Sequence, residues 1–337
     1  MMSEIGIGVV GLGRIGRIHA EIFAYRVEGA KLVALMDVVE ELAKSTANKF
    51  KVKWYTDYQK LLSDPEIDAV VIATPTFLHK DMIVQAAEYG KHIFVEKPLT
   101  VTVDEAKAAL QAVSKAGVKM QVGYMRRFDY AYKSAKERIG KGEIGEPLVF
   151  VGIARDPGAP PGWAAEPGKS GGIFLDMLSH DFDMARWLMS AEVKEVYVLG
   201  GAYLYEEIKE KGDLDVVTIN IKFDNKAIGI IHGSRKSVFG YDLRTEVMGT
   251  EGTLYVGTLQ DPMFAQGKSE GLVYKGVQWF WKRFYDAYVE EDQSFISAVR
   301  EDKEPLVTGI DGLRAVEIAE ACWRSYREKK PVEVSLT

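Results

Sequence analysis

Cysteine occurs once, at Cys322, so no intramolecular disulfide can form and no cysteine-based zinc site can be assembled. On its expected helix it reads as a small buried hydrophobe. No apolar run approaches the roughly 20 residues that span a bilayer. The N-terminus lacks the basic start, apolar core and small-residue cleavage site of a signal peptide; its first apolar run, Ile5 to Val10, leads straight into glycines. A cytoplasmic location and no membrane partner are expected. Long basic runs are also missing, and a net charge of -6 comes from intermixed acids and bases, which argues against a nucleic-acid partner. Asparagine is confined to Asn48, Asn220 and Asn225; with the abundant Lys and Glu this leans toward a heat-adapted source. Neither a repeat of fixed period nor a low-complexity segment is visible. What remains is a chain of 337 residues, 47% hydrophobic, enough to bury a core in each of two domains and therefore not a disordered protein.

From the start to about residue 122 the chain alternates short apolar runs with helical patterns, the sign of βαβ units around a doubly wound parallel sheet. The expected strands are Ile5–Val10, Lys31–Met36, Ala69–Ala73, His92–Val95 and Lys119–Val122; the expected helices include Ile15–Tyr25, Lys80–Tyr89 and Val103–Ala116. The first strand runs into Gly11-Leu12-Gly13-Arg14-Ile15-Gly16, a G-x-G-x-x-G between strand and helix, the placement that makes this short pattern informative. Gly11 permits the tight turn, Gly13 lets the backbone approach a pyrophosphate, and Gly16 lets helix and strand pack closely, with the helix N-terminus facing the phosphates. Asp37 ends the second strand about 20 residues on, where a carboxylate accepts hydrogen bonds from the ribose hydroxyls of a dinucleotide and repels a 2′-phosphate. With Val38 and Val39 behind it, NAD is expected rather than NADP. Thr74 and Pro75, and Glu96-Lys97-Pro98, follow later strands at the sheet edge where open α/β sheets bind ligands. An ammonium at Lys97 suits a substrate oxygen beside the nicotinamide, although a single loop lysine is more often a solvated charge. His79 and His92 read as structural or surface residues.

From residue 123 to 337 the pattern changes. A polar helix near Tyr130–Ile139 precedes longer alternating segments, Val149–Ala154, Val193–Tyr203, Val216–Phe223, Ala227–Ser234, Arg244–Met248 and Gly252–Val256, which read as a large, mostly antiparallel sheet in an α+β domain. With too few helices to cover both faces, one face of this sheet is expected to bury itself in another subunit, a dimer or tetramer. One helix expected over Ile173–Met189 carries Asp176 and His180, whose i, i+4 spacing puts both on one face. A carboxylate near an imidazole favours its charged form and orients it, so that His180 can take a proton from an alcohol. Taken alone, such a pair is more often an ordinary surface or capping pair. A metal on His180-Asp181-Phe182-Asp183 is a rival, but these donors follow no spaced zinc motif, and no metal is expected. Nor is a serine hydrolase. Arg126-Arg127-Phe128-Asp129 and Arg155-Asp156-Pro157 suit either a polyhydroxylated ligand or interface salt bridges. Pro157–Gly172 reads as a loop able to close over a substrate.

The glycine loop, Glu96-Lys97-Pro98, Met125-Arg126-Arg127-Phe128-Asp129 and the run from Gly171 to Asp183 together resemble the glucose–fructose oxidoreductase/inositol dehydrogenase (Gfo/Idh/MocA) family over nearly the whole chain, with the motifs in that family's order and spacing. The resemblance implies Lys97, Asp176 and His180 as the catalytic set. It further implies that Arg127, Asp156 and Tyr241 contact ring hydroxyls, Arg127 being the better match and Asp156 and Tyr241 resting on looser local similarity. The implied reaction is oxidation of a ring secondary alcohol of a neutral polyol or sugar to a ketone, with inositol 2-dehydrogenation the nearest likeness. A dinucleotide-binding sensor of the same fold is the alternative from a different class.

Overall fold

The computed structural model describes residues 4–257, 265–269, 271–274, 276–277 and 279–337. The chain divides into two compact units: residues 1–128 with 286–316, and residues 129–285 with 317–337. The sequence suggests one boundary near 122, but the helix Tyr285–Arg300 returns to the first unit. There Phe295 meets Phe94 edge-on at 5.8 Å between ring centroids, and the Val122 amide donates to the Val307 carbonyl. Contacts spanning this many residues leave no trace in a local pattern.

The first unit is a six-stranded parallel sheet of β1 (Ile5–Val10), β2 (Ala30–Met36), β3 (Lys53–Tyr55), β4 (Ala69–Ile72), β5 (His92–Glu96) and β6 (Met120–Gly123), in the order β3-β2-β1-β4-β5-β6. Strands covered on both faces read as continuous apolar runs, as β1 and β4 do. The edge strand β3, Lys-Trp-Tyr with two exposed residues, has no such run and is not evident from sequence. The helix Val103–Ala116 is set at both ends: Thr102 and Glu105 form a reciprocal capping box, and Gly117 closes the C-terminus at φ 66°. Strand order reverses between β1 and β4, so their carboxyl ends border the crevice where such sheets take ligands.

The second unit holds a seven-stranded sheet of β7 (Pro147–Arg155), β8 (Val193–Gly201), β9 (Val216–Phe223), β10 (Ile228–Ser234), β11 (Asp242–Gly249) and β12 (Thr253–Val256). A separate hairpin of β13 (Ala265–Lys268) and β14 (Gly271–Tyr274) follows, and β15 (Val332–Glu333) completes the large sheet in the order β12-β11-β7-β10-β9-β8-β15. Its pairings are antiparallel except β7 with β10. Along β9, Val217, Ile219, Ile221 and Phe223 are buried while Asn220 and Lys222 are exposed, the period-2 signature of a sheet with one covered face. The helix Tyr130–Gly140 lies on the covered face, with the Tyr132 hydroxyl 2.9 Å from the Thr245 hydroxyl on β11. Among the described residues, no helix is long and apolar enough to cross a membrane.

The core of the first unit contains a charged cluster absent from any sequence expectation. His19 is fully buried; its Nδ1 lies 2.9 Å from both carboxylate oxygens of Asp292 and its Nε2 lies 3.1 Å from Glu96. Carboxylates facing both ring nitrogens favour the imidazolium, which can donate to each. Burial alone pushes the His19 pKa down, but Asp292 and then Glu96 outweigh it and hold it well above the usual value. A raised folded-state pKa stabilises the fold fully below the unfolded value of about 6.5, and that contribution fades as pH rises through the folded value. Replacing His19 with Leu strands two buried carboxylates and should cost about 3 kcal/mol. Urea unfolding at pH 6 and pH 9 should show the larger loss at pH 6; equal losses at both would contradict a charged His19.

Candidate active site

The glycine loop gives each of its three glycines a separate task. Gly11 sits at φ +86°, and a Cβ there would come within 2.7 Å of the Ala73 carbonyl oxygen; a Cβ on Gly16 would lie 1.8 Å from the Gly11 carbonyl oxygen. These two therefore serve the fold. An added Cβ on Gly13 meets nothing within 4 Å, so the bare backbone there faces open space. The helix Arg14–Tyr25 that follows has no side-chain cap and no acid in its first turn, leaving its first amides and the positive end of its dipole for an anion. Arg14 is exposed and Ile15 half-buried beside it.

Asp37 closes this cradle. It follows β2, and its carboxylate accepts the Leu12 amide at 2.8 Å through Oδ2 and the Val39 amide at 2.9 Å through Oδ1, so it is fixed against the glycine loop. An open pyrophosphate cradle with an anchored carboxylate alongside fits a dinucleotide whose adenosine ribose carries free hydroxyls, which is NAD.

Two further loops border the same sheet edge. Thr74 and Pro75 follow β4; Lys97 follows β5, half-buried, its amide donating to Glu96 Oε2 at 3.1 Å. His79 is buried, and its Nδ1 and Nε2 lie 2.8 Å and 2.9 Å from the carbonyls of Pro98 and Thr74. It thus laces the Thr74 loop to the Lys97 loop, and burial holds its imidazole below the usual pKa despite the two carbonyls. Glu96 itself is tied back to His19. A histidine on the helix face that must pack against the sheet, three residues past Gly16, is the sequence signal that marks this network.

In the second unit, the expected single helix over Ile173–Met189 is broken. Ile173–Met177 forms one π-helical turn, with the Leu178 amide reaching back to the Ile173 carbonyl, and a regular helix runs only over Ser179–Met189. Asp176 and His180 thus sit on either side of a break, and an α-helical i, i+4 face does not describe them. Gly171 and Gly172, both at positive φ, let the chain enter the wider turn. Asp176 accepts Arg235 Nη1 at 3.1 Å, and His180 is buried at 8% exposure. Asp156 follows β7, its amide bonded to the Ser234 carbonyl, and Tyr241 is buried just before β11.

The arginines expected near a ligand have protein partners. Arg127, 5% exposed, belongs to the first unit and donates to Asp311 at 2.7 Å and to the Leu306 carbonyl at 3.3 Å. Arg155 donates to Asp242 and to Nδ1 of His232. The stretch Pro157–Gly172, expected as a loop, contains short helical turns over Gly162–Ala165 and Pro167–Ser170. It also holds the spacing G-x-S-x-G at Gly168-Lys169-Ser170-Gly171-Gly172. Ser170 is nevertheless fully buried, its hydroxyl donating to the carbonyls of Ala164 and Glu166, unlike the exposed serine of a hydrolase elbow. Among the described residues, no group of three or more His, Cys, Asp or Glu is placed to hold a metal ion.

The three glycines should separate experimentally. Gly13→Ala should leave the melting temperature unchanged and weaken NAD binding roughly tenfold, about 1.4 kcal/mol. Gly16→Ala should destabilise the protein by about 1–3 kcal/mol through overpacking. Thermal melts and NAD titrations of both variants test this; a Gly13→Ala protein with unaltered NAD affinity would remove the cradle.

Residues 5–124 match the oxidoreductase family with an NAD-binding Rossmann fold, and residues 136–334 match the C-terminal alpha/beta domain of that oxidoreductase family. A scyllo-inositol 2-dehydrogenase (NAD(+)) of Bacillus subtilis is 43% identical over 337 residues, 100% of this chain and 98% of that protein. A myo-inositol 2-dehydrogenase of Thermotoga maritima is 38% identical over 330 residues, 97% of this chain and 98% of that one. The crystal structure of scyllo-inositol dehydrogenase from Lactobacillus casei with bound NAD(H) and scyllo-inositol has a TM-score of 0.92 at 31% identity, covering 98% of this chain and 99% of that one. Matched in both halves by a single family, the chain belongs to the Gfo/Idh/MocA oxidoreductases and is an NAD-dependent enzyme.

Proposed function

We propose that this enzyme oxidises a ring secondary alcohol of a cyclic polyol to a ketone, and that its substrate is an inositol, myo-inositol oxidised at C2. An inositol is supported by the likeness along the full chain to an enzyme that holds NAD(H) and scyllo-inositol, and the myo isomer by the likeness to the Thermotoga maritima myo-inositol 2-dehydrogenase. NAD, when bound, supplies the hydride acceptor at C4 of its nicotinamide. Gly13, Arg14 and Ile15 hold its pyrophosphate in the loop that Gly11 and Gly16 shape, Asp37 its ribose, and Thr74, Pro75 and Glu96 border the nicotinamide end. In this reading His180 takes the hydroxyl proton, Asp176 tunes and orients it, and Lys97 donates to the reacting oxygen. Asp156 and Tyr241 bind ring hydroxyls. Arg127, oriented by Asp311 and the Leu306 carbonyl, is the third ring-hydroxyl contact of this reading, since a guanidinium has five donors.

A neutral polyol is favoured over a sugar phosphate by charge. Of Arg126, Arg127 and Arg155, the cations that would suit a phosphate, Arg127 and Arg155 are each paired with an aspartate. The carboxylates of Asp156 and Asp176 are suited to hydroxyl donors and repel a phosphate.

The uncovered face of the second unit's sheet supports self-association. Ile228 and Ile230 of β10 are 55% and 37% exposed and stand in register beside Val149 and Val151 of β7, an apolar stripe that a monomer would leave in water. The occupant this reading assigns is a second copy of the chain, in a dimer or tetramer.

Two outcomes are expected. Purified protein with NAD at alkaline pH, offered myo-, scyllo- and chiro-inositol, glucose, xylose and glucose 6-phosphate, should form NADH with myo-inositol. His180→Ala should lower turnover by about two or more orders of magnitude. A preference for scyllo-inositol would overturn the isomer; silence across the panel with NAD bound would favour a sensor. Sedimentation should give a particle larger than the 37.6 kDa chain, reduced to one chain by Ile230→Lys; wild-type protein sedimenting as a single chain would contradict the interface.

A further inference from the structure

Arg235 is an arginine that no sequence motif marks. It stands one residue beyond β10 and is 1% exposed. Its backbone is held by the Asp215 carbonyl at 2.8 Å, and the Asp215 carboxylate in turn accepts the amides of Tyr203, Leu204 and Tyr205. The root of the side chain is therefore fixed. One arm, Nη1, donates to Asp176 at 3.1 Å; the other, Nη2, donates to Asp213 at 3.0 Å.

Asp213 is the more informative partner. Its second oxygen accepts the Ile173 amide at 3.0 Å, the first residue of the π-helical turn that carries Asp176. A Cβ on Gly172, at φ +67°, would fall 2.5 Å from that same oxygen, so the carboxylate is pressed against the turn. Trp323 Nε1 donates to the Gly171 carbonyl just upstream. The guanidinium thus reaches the turn twice, once through the Asp176 side chain and once through the backbone that aims it.

We infer that Arg235 is a positioning residue of the proposed reaction: with Asp213 it fixes where the Asp176 carboxylate stands. This rests on the assignment of Asp176 and His180 under Proposed function. Burying a guanidinium costs several kcal/mol, which an apolar side chain of similar volume would avoid, so a purely structural role gives a weak reason for a charge at this point. A fork is what the geometry uses: two acceptors on two segments, held at a fixed separation. Three carboxylates act on it, Asp176 from the turn, Asp213 from the loop before β9 and Asp156 from the end of β7. Two of these are proposed to touch substrate or the reacting proton, so Arg235 also balances a site otherwise rich in negative charge.

The test compares Arg235→Gln, Arg235→Lys and Asp213→Asn in the full chain. Alcohol oxidation needs an unprotonated base, so activity rises with pH through the pKa of the Asp176/His180 pair. Removing a cation beside that pair makes protonation easier, so the acid limb of kcat/KM should move to higher pH in Arg235→Gln, by about one unit. Removing an anion in Asp213→Asn should move it the other way. Turnover should fall roughly 10- to 100-fold in Arg235→Gln, as when partners that orient reacting groups are lost. Arg235→Lys should keep the limb near its wild-type place and recover part of the rate. The KM for NAD should be unchanged in all three, which shows the first unit intact. Limbs that stay put, or that move in the same direction in Arg235→Gln and Asp213→Asn, would overturn the inference and leave Arg235 a structural charge. Should Arg235→Gln fail to fold, the direction of the Asp213→Asn shift still decides. If wild-type protein oxidises nothing in the panel, the proposed reaction falls; titration of the His180 imidazole by NMR, one of five histidines, then reads the same shifts without turnover.

Discussion

A close approach in the first unit joins a helix to a strand end, where a methyl group on Gly16 would stand 1.8 Å from the Gly11 carbonyl oxygen. That approach sets the helix Arg14–Tyr25 against the sheet and points its free amides outward over Gly13. It also determines where the same helix carries His19, one turn further in. From that position His19 reaches Glu96 at the end of β5 and Asp292 on a helix that returns from far along the chain. Glu96 receives the amide of Lys97, so the loop bearing the proposed substrate lysine is anchored, through one imidazolium, to the helix that forms the cofactor cradle. A single steric constraint thereby aligns both ends of the dinucleotide site. The loops are held in the same way: Leu12 reaches Asp37, and His79 spans Thr74 and Pro98.

The second unit solves a similar problem with the same sign of charge at its centre. Where the first unit buries an imidazolium between two carboxylates, the second buries a guanidinium among Asp176, Asp213 and Asp156. Such groups are expensive to desolvate and are tolerated when their hydrogen bonds are met. In both units the buried cation lies directly behind a residue proposed to touch substrate, Lys97 in one and Asp176 in the other. Arg127 and Arg155 are paired with aspartates, and the carboxylates of Asp156 and Asp176 in the proposed site are in keeping with a ligand made of hydroxyl groups.

The two units differ in how far their pattern is readable. In the parallel sheet, the runs Ile5–Val10 and Ala69–Ile72 are apolar along their length because both faces are covered, and the glycines between strand and helix have a spacing that backbone geometry demands. In the antiparallel sheet, Val216–Phe223 alternates strictly because one face is covered. Edge strand β3 carries neither pattern, since a three-residue strand at the rim has too little burial to write one. The run from Ile173 to Met189 shows the limit of periodicity: its composition suits a helix throughout, but two glycines at positive φ and one π-helical turn displace Asp176 from the face that a spacing of four implies. The sequence leaves His79 as a structural or surface residue; only the fold shows that it sits in the interior and joins two loops. Arg127 illustrates a different loss. Its motif is plain, but its partner Asp311 lies 184 residues away.

By itself the sequence determined what local physics enforces: the glycine loop and its conformations, the strand-end carboxylate at Asp37, the change from parallel to antiparallel patterning, and the membership of the Gfo/Idh/MocA family that these motifs carry in order. Only the tertiary structure decided which charges meet in the interior. His19 with Asp292, Arg235 with Asp176 and Asp213, and the return of residues 286–316 to the first unit all join segments distant along the chain. A hydrogen bond between such segments depends on how whole elements pack, and packing is set by the sum of many weak contacts, none of which is written at the residues it brings together.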